Sequence, residues 1–445
     1  MPPKAHLNAV QILAFGFAAI ILIGALLLTL PFASRDGRSI PFLNALFTAG
    51  SATCVTGLIV YDTYTQFTFF GQAVILLLIQ IGGIGFVSMI VMFALFFGRR
   101  IGLRERMLLA ESLSSMQIGG VVKLVRRILI GSFIVESAGA ALLAIRFIPE
   151  FGIKHGLWFS VFHSVSAFCN AGFDLIGIKT PYSSLTSYVG DPIVILTIAS
   201  LIVVGGIGFI VWGDIIDHGL HIAKYKLHTK VVLTASAILI VSGAVLFLIL
   251  ERDRTLSGMR AGEALLAALF QSITPRTAGY NSVDMAALTE GGKALLIALM
   301  IIGASPGSTG GGMKTSTFSV ILLALYASIR RHEDTNVFCH RLDDEVIRAA
   351  YRSAALYMMM YLIGAFVLCA AGDLSLTDAL FETSSAIGTV GLSTGVTSQL
   401  PPVCKITLIL MMYAGRVGSL TVFLAVAKRS SVNKLRNAPG SIIVG

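Results

Sequence analysis

Long stretches of this chain contain no charged residue. Each exceeds or approaches the roughly 20 residues that a helix needs to cross the core of a bilayer. They lie between Lys4 and Arg35, Asp62 and Arg99, Asp191 and Asp214, Lys230 and Glu251, and Arg352 and Asp373. Only 13% of the 445 residues are charged, about half the roughly 25% typical of soluble domains. The sequence therefore predicts an all-α membrane protein.

The net charge of +10 could suggest binding to nucleic acid. The lysines and arginines, however, concentrate in alternate segments between the apolar stretches: 98–127, 214–230, 330–352 and the residues after 427. This is the positive-inside pattern of membrane proteins. It predicts a multi-pass protein in the plasma membrane, in contact with the lipid bilayer, with cytoplasmic N- and C-termini and no nucleic-acid partner.

One pattern occurs four times along the chain. It is found in NALFTAGSATCVTGL (44–58), FSVFHSVSAFCNAGF (159–173), AALFQSITPRTAGY (267–280) and DALFETSSAIGTVGL (378–392). Each copy runs from a short apolar segment through small and polar residues to a glycine: Gly57, Gly172, Gly279 or Gly391. A second glycine motif follows, QIGGIGF at 80–86, VGGIGF at 204–209, AGRVGS at 414–419 and the start of GASPGSTGGGMKTST at 303–317. The recurrence of both motifs indicates an internal repeat.

Each repeat is predicted to contain an outer spanning helix, a short helix, a turn that ends in the glycine, and an inner spanning helix. The predicted repeats are 1–110, 111–225, 226–340 and 341–445, the last with a cytoplasmic tail. Outer helices are predicted near 8–31, 124–147, 230–250 and 346–371, and inner helices near 68–97, 191–216, 291–329 and 403–427. This makes four helix–pore-loop–helix repeats, with eight spanning helices around a pseudo-four-fold axis.

The repeated turns predict a path for a monovalent cation. Irregular backbone at membrane depth is tolerated only where protein buries it or where it lines a watery cavity. Four turns around one axis can offer rings of carbonyl oxygens that replace the hydration shell of a cation. Glycine permits the backbone conformations this requires, and the carboxyl ends of the short helices favour a cation. The alternative is that the glycines only allow close helix packing.

The layout and the turns TCVTG, FCNAG, PRTAG and GTVG resemble the Trk/Ktr/HKT superfamily of cation transporters over nearly the whole chain, and most closely its KtrB-like membrane subunits. The resemblance implies a non-enzymatic role in potassium uptake across the bacterial plasma membrane, with sodium dependence left open. It implies a homodimer, a cytosolic nucleotide-binding (KtrA-like) regulatory ring, and no cofactor bound by this chain. The implied filter comprises Val55, Thr56, Gly57, Asn170, Ala171, Gly172, Thr277, Ala278, Gly279, Thr389, Val390 and Gly391.

The resemblance also implies potassium as the substrate, because members of that superfamily with glycine in all four turns favour potassium. Only Thr389–Val390–Gly391 approaches the potassium-channel pattern TVG. A less selective transporter of sodium and potassium therefore remains an alternative.

The segment GASPGSTGGGMKTST has two interpretations. A phosphate-binding loop needs glycine directly before the lysine, and Met313 stands there. The predicted inner helix 291–329 is too long for a straight span, so an intramembrane loop at 303–315 is the better interpretation. The resemblance implies that this loop gates conduction. The predicted gate comprises Gly303, Ala304, Ser305, Pro306, Gly307, Ser308, Thr309, Gly310, Gly311, Gly312, Lys314 and Arg416.

Three further charged residues lie close to the predicted pore. Arg416 is expected either to form an electrostatic barrier or to pair with an acid such as Glu136 or Glu382. Arg276 and Glu382 are expected to support the turns.

A membrane enzyme is a remote alternative, because Asp62 and Asp191 echo the aspartyl motifs of intramembrane proteases, although the GxGD pattern is incomplete.

Overall fold

The computed structural model describes residues 9–85, 88, 102 and 121–418. The described chain is built almost entirely of α-helices. Its strands are the antiparallel pair Asn336–Val337 and His340–Arg341. Single 3-10 turns occur at Pro31–Ala33, Ile176–Ile178, Thr186–Tyr188, Ile222–Lys224 and Thr397–Gln399. The predicted all-α class is confirmed.

The outer helices are long and apolar. They are Ala9–Thr29, the first part of Val121–Phe168, Leu227–Glu251 and Asp344–Gly372. In the described part of the chain, these four are long and apolar enough to cross a membrane. Their outward faces leave large apolar side chains such as Phe133, Ile249 and Phe366 about two-thirds exposed or more, as a lipid-facing surface requires.

A short helix packs against the outer helix of each repeat. Three of the short helices are Phe42–Thr53, Ala261–Ile273 and Leu376–Gly388. The short helix of the second repeat follows its outer helix directly, and Gly152 (φ 77°) separates the two within Val121–Phe168. At ~1.5 Å per residue, a helix of 12 or 13 residues covers roughly 20 Å, less than the ~30 Å hydrocarbon core. The short helices therefore end inside the protein.

The inner helices begin at Phe69–Ile84, Pro192–Gly206, Glu290–Ile301 and Pro402–Val417. A single turn of helix, Thr63–Gln66, precedes the first. The third stops at Ile301 and resumes as Thr315–Ile329, which is the interruption that its length predicted. The predictions of continuous inner helices at 68–97 and 403–427 are wrong at Gly85 (φ +91°) and Gly418 (φ +97°), where the helices Phe69–Ile84 and Pro402–Val417 end. Apart from residue 88, the remaining residues up to 97 and 427 lie outside the described residues, so the count of eight spanning helices stays a prediction.

The prediction of one continuous inner helix at 191–216 is wrong. The chain bends by 94° between Pro192–Gly206 and Phe209–His218. Gly208 adopts φ +98°, which helices do not use. The Phe209 backbone N–H instead donates to the Gly307 carbonyl at 2.7 Å. The loop of the third repeat thus occupies the break in the second inner helix.

Candidate functional site

The four glycines that end the repeated turns form a closed ring. A Cβ added to Gly57 would lie 2.5 Å from the carbonyl oxygen of Ala171, and one added to Gly172 would lie 2.5 Å from that of Ala278. The same relationship, still closer, joins Gly279 to Val390 and Gly391 to Thr56. Each glycine therefore contacts the peptide before the next glycine, and the fourth returns to the first.

The turns share a backbone conformation. All four glycines have positive φ, from +68° at Gly172 to +98° at Gly391. Two residues earlier, φ is again positive in every turn, although none of these residues is glycine: Val55 (57°), Asn170 (58°), Thr277 (78°) and Thr389 (52°). Such conformations are uncommon for non-glycine residues and concentrate at functional sites. The structure thus brings together every turn that the sequence singled out.

The second glycine motif seats the short helices. A Cβ on Gly82, Gly205 or Gly415 would collide with the carbonyl oxygen of Thr53, Phe168 or Ile387, each four residues before its filter-position glycine. In the third repeat, a Cβ added to the corresponding Gly303 would instead lie 2.5 Å from the Gly311 carbonyl oxygen. The motif therefore provides close backbone packing, and in the third repeat the loop takes the place of the short-helix end.

Sequence reasoning missed a set of supporting hydroxyl groups. Ser51 Oγ accepts from the Gly57 N–H and Ser385 Oγ from the Gly391 N–H, both at 3.0 Å. Ser166 and Thr274 donate to the carbonyls of Phe173 and Tyr280, just after their glycines. The signal was present in the repeats, because a serine stands six residues before three of the glycines and a threonine five before the other.

A polar vestibule adjoins the ring. This cavity of about 290 Å³ is lined by all four glycines and by residues that follow them, including Asp174, Asn281, Asp284 and Ser393. Asp174 is half-buried. Burial, reinforced by the nearby Asp62 carboxylate, raises the pKa of the Asp174 carboxyl to about 7. Carboxylates at the mouth of a narrow cavity concentrate cations.

The loop of the third repeat contacts the residues that precede the glycines. The Gly311 N–H donates to Thr389 Oγ1 at 3.0 Å, and a Cβ on Gly310 would collide with Thr277 Oγ1. The Asn170 amide and the Thr277 hydroxyl lie 3.0 Å apart. The loop therefore lies against the opposite end of the turns from the vestibule.

Backbone hydrogen bonds tie this loop to the second and fourth repeats. The Ser305 and Thr309 N–H groups donate to the carbonyls of Gly206 (3.1 Å) and Gly205 (3.3 Å) in the second inner helix. The Gly312 N–H donates to the Gly415 carbonyl at 3.2 Å. Defined backbone hydrogen bonds thus hold the loop against the second and fourth repeats.

Two basic side chains, those of Lys314 and Arg416, hydrogen-bond to the loop. Lys314 Nζ donates to the Gly310 carbonyl at 2.8 Å. Arg416 donates to the Thr309 carbonyl in the loop, and to the carbonyls of Gly82 and Gly83 in the first inner helix. Arg416 therefore joins three repeats through backbone oxygens.

The two acids suggested as partners of Arg416 are bonded elsewhere. Glu136 accepts from Gln80 Nε2 at 3.0 and 3.1 Å. Glu382, fully buried, accepts from Ser393, Thr394 and Thr397, and so anchors the segment after Gly391. Among the described residues, Arg416 has no carboxylate within ion-pair distance; its partners are backbone carbonyl oxygens.

The remote enzyme alternative gains nothing from the positions of its two aspartates. Asp62 accepts from the N–H groups of Thr65 (2.8 Å) and Tyr182 (3.0 Å). Asp191 caps the helix Pro192–Gly206 and forms an ion pair with Arg146 at 2.7 Å. Both carboxylates therefore serve as caps and structural links.

Comparison with known proteins agrees with this architecture. The family model of TrkH, a cation transport protein, matches residues 3–435. Ktr system potassium uptake protein B of Bacillus subtilis is 41% identical, over 98% of this chain and 96% of the relative. The potassium/sodium uptake protein NtpJ of Enterococcus hirae is 39% identical, over 97% and 96%.

The fold also matches a solved structure. The crystal structure of the potassium transporter TrkH from Vibrio parahaemolyticus superposes with a TM-score of 0.74 at 18% identity, covering 96% of this chain and 86% of that one. The relatives are cation transporters rather than enzymes, and the long apolar helices are those of a membrane protein. The chain belongs to the TrkH family of cation transport proteins.

Proposed function

We propose that this chain is the ion-translocating membrane subunit of a bacterial potassium uptake system. The closed ring of Gly57, Gly172, Gly279 and Gly391 carries the proposal. The peptides before these glycines supply carbonyl oxygens from four sides, the arrangement that replaces the hydration shell of a monovalent cation. Relatives named as potassium uptake proteins support the choice of ion.

The filter in this proposal consists of the three residues that end each turn. These are Val55–Gly57, Asn170–Gly172, Thr277–Gly279 and Thr389–Gly391. The four repeats, divided at residues 110, 225 and 340, then surround one axis. The vestibule with Asp174 and Asp284 faces outside, and both termini are cytoplasmic.

The loop 303–315, with Lys314 and Arg416, is the proposed gate. It lies against Thr277 and Thr389 and is bonded to the second and fourth repeats. The positive charge of Arg416 there opposes a cation leaving the filter. Deleting Ser305–Gly312 should therefore raise rubidium flux through the protein reconstituted alone in liposomes. Unchanged flux would contradict the gate.

We further propose that the chain acts within a larger assembly. Three relatives are named as proteins of a Ktr system, which implies several components. A homodimer of this chain with a cytosolic nucleotide-binding ring, KtrA-like in kind, is the proposed form. Mass measurement of the purified protein, with and without a co-expressed ring protein, tests both contacts.

A less selective sodium and potassium transporter is the second candidate. The relative NtpJ is named for both ions, and three of the four turns depart from TVG. Competition between rubidium and sodium in the same flux assay separates the two candidates. Strong inhibition of rubidium uptake by equal sodium would favour the second.

The decisive experiment is rubidium uptake by cells that lack their own potassium uptake, with and without sodium and the ring protein. Uptake should require Gly57 and Gly279. It should survive Asp62→Asn and Asp191→Asn variants that remain folded. Proteolytic activity dependent on those two aspartates, without uptake, would overturn the proposal.

A further inference from the structure

Arg276 lies in the third turn, directly before Thr277, and its side chain leaves the ring. Its guanidinium donates to Ser236 Oγ of the third outer helix at 3.0 Å, and reaches Thr315 Oγ1 at 3.4 Å. The residue is only 8% exposed. Arg276 thus spans the turn, the outer helix and the first residue of the resumed inner helix.

Thr315 closes the neck of the loop. Its hydroxyl donates to the Gly303 carbonyl at 2.9 Å and its N–H to the Ala304 carbonyl at 3.2 Å. The Gly303 N–H donates in turn to the Met313 carbonyl at 2.8 Å. Both ends of the loop are therefore joined at the residue that Arg276 contacts.

Burying the charged side chain of Arg276 costs free energy of desolvation. No carboxylate among the described residues is bonded to it; its partners are the two hydroxyl groups. It also faces the amino end of Thr315–Ile329, where the helix dipole opposes a cation, and Lys314 is the adjacent residue. Buried ionisable groups in membrane proteins are costly, and those that persist usually have a function.

We propose that Arg276 is a positioning residue that couples the third turn to the neck of the loop and holds the loop closed. The inference rests on the proposed function, because it assumes that the loop obstructs a cation path. When the loop opens, the contact between Arg276 and Thr315 must break, and the turn that carries Thr277 loses its connection to the inner helix. A simple support for the turn would have no effect on the closed position of the loop.

The test is rubidium flux through the protein reconstituted without its partner. Arg276→Gln and Thr315→Val should each raise flux about tenfold, since a hydrogen bond to a charged group contributes at least roughly that factor to an equilibrium. The double variant should raise flux by less than the product of the two single effects, because both changes remove the shared bond between Arg276 and Thr315. Thr317→Val, two residues along the same helix, is the matched control and should leave flux unchanged.

Loop position is the second readout. A Ser308→Cys reporter, in a background with Cys339 and Cys369 replaced by serine, should react faster with a thiol reagent when Arg276→Gln is present. If Arg276→Gln does not assemble, Arg276→Lys, which keeps the charge but loses the forked guanidinium, takes its place. Unchanged flux and unchanged reactivity in a folded variant would overturn the proposed role of Arg276 in holding the loop closed. Flux through the Ser305–Gly312 deletion would still leave the proposed function standing. No flux through that deletion would overturn both.

Discussion

Gly172 and the carbonyl oxygen of Ala278 face each other across the boundary between the second and third repeats, with a Cβ on Gly172 placed 2.5 Å from that oxygen. Real Cβ atoms do not approach so closely. The backbone of one turn therefore fixes the position of the next.

The first prediction concerns this contact. Gly172→Ala should lower rubidium flux through the loop-deleted protein about tenfold or more, because even ~1.4 kcal/mol of distortion has that effect. Gly37→Ala is the matched control: Gly37 has φ +65°, close to the +68° of Gly172, but nothing lies within 4 Å of its added Cβ. Equal loss in both variants would show that backbone strain, not the ring contact, is responsible.

The second prediction concerns the hydroxyl groups behind the turns. Ser385→Ala removes the acceptor of the Gly391 N–H and should cost about 1 kcal/mol of stability, with reduced preference for rubidium over sodium. Melting of the detergent-solubilised protein and paired flux measurements check this. Ser242→Ala, on the exposed face of Leu227–Glu251, should change neither. Unaltered selectivity in Ser385→Ala would reduce the hydroxyl to a stability role.

The third prediction concerns Arg416. Arg416→Ala removes hydrogen bonds to the carbonyls of Thr309, Gly82 and Gly83 and one positive charge beside the loop. Rubidium flux through the partner-free protein should rise about tenfold. Arg330→Ala, exposed at the end of the third repeat's inner helix Thr315–Ile329, should have no effect. A monodisperse Arg416→Ala protein with unchanged flux would argue against a barrier.

The fourth prediction concerns the pH dependence of entry. Because the pKa of Asp174 is raised to about 7, this carboxyl is neutral below that pH and charged above it. Uptake at low rubidium and low ionic strength should therefore rise severalfold as external pH increases through 7, since a negative vestibule concentrates cations. Asp174→Asn should flatten the profile, whereas Asp36→Asn, exposed and outside the vestibule, should not. A rise that persists in Asp174→Asn would assign the titration to another group.

The sequence predicted the helices well because apolar runs and repeated glycines report directly on spanning length and on turns. The ring at Gly57, Gly172, Gly279 and Gly391 followed from their spacing. The interruption after Ile301 followed from excess length. Each of these features depends on local pattern or on repetition.

What the sequence did not predict depends on contacts between repeats. VGGIGF has the composition of a packing motif, so the 94° bend at Gly208 was missed. Beyond the bend, the Phe209 N–H donates to the Gly307 carbonyl of another repeat, a contact that the local sequence does not indicate. The suggested partners of Arg416 were acids, whereas its real partners are carbonyl oxygens. Every residue carries a backbone carbonyl, so residue types alone do not indicate which carbonyls accept hydrogen bonds.

The closing contact of the ring, from Gly391 to the carbonyl of Thr56, has a consequence for biosynthesis. Each turn is held by a segment made later, except the last, which is held by the first. Turn three contacts turn two, but the Val390 carbonyl that Gly279 faces is absent until residues near 390 have left the ribosome, and the ring cannot close before then. A nascent chain that stops before residue 390 would therefore carry an open ring whose third turn lacks its later partner, so quality control could distinguish a finished ring from an unfinished one only after this segment is made.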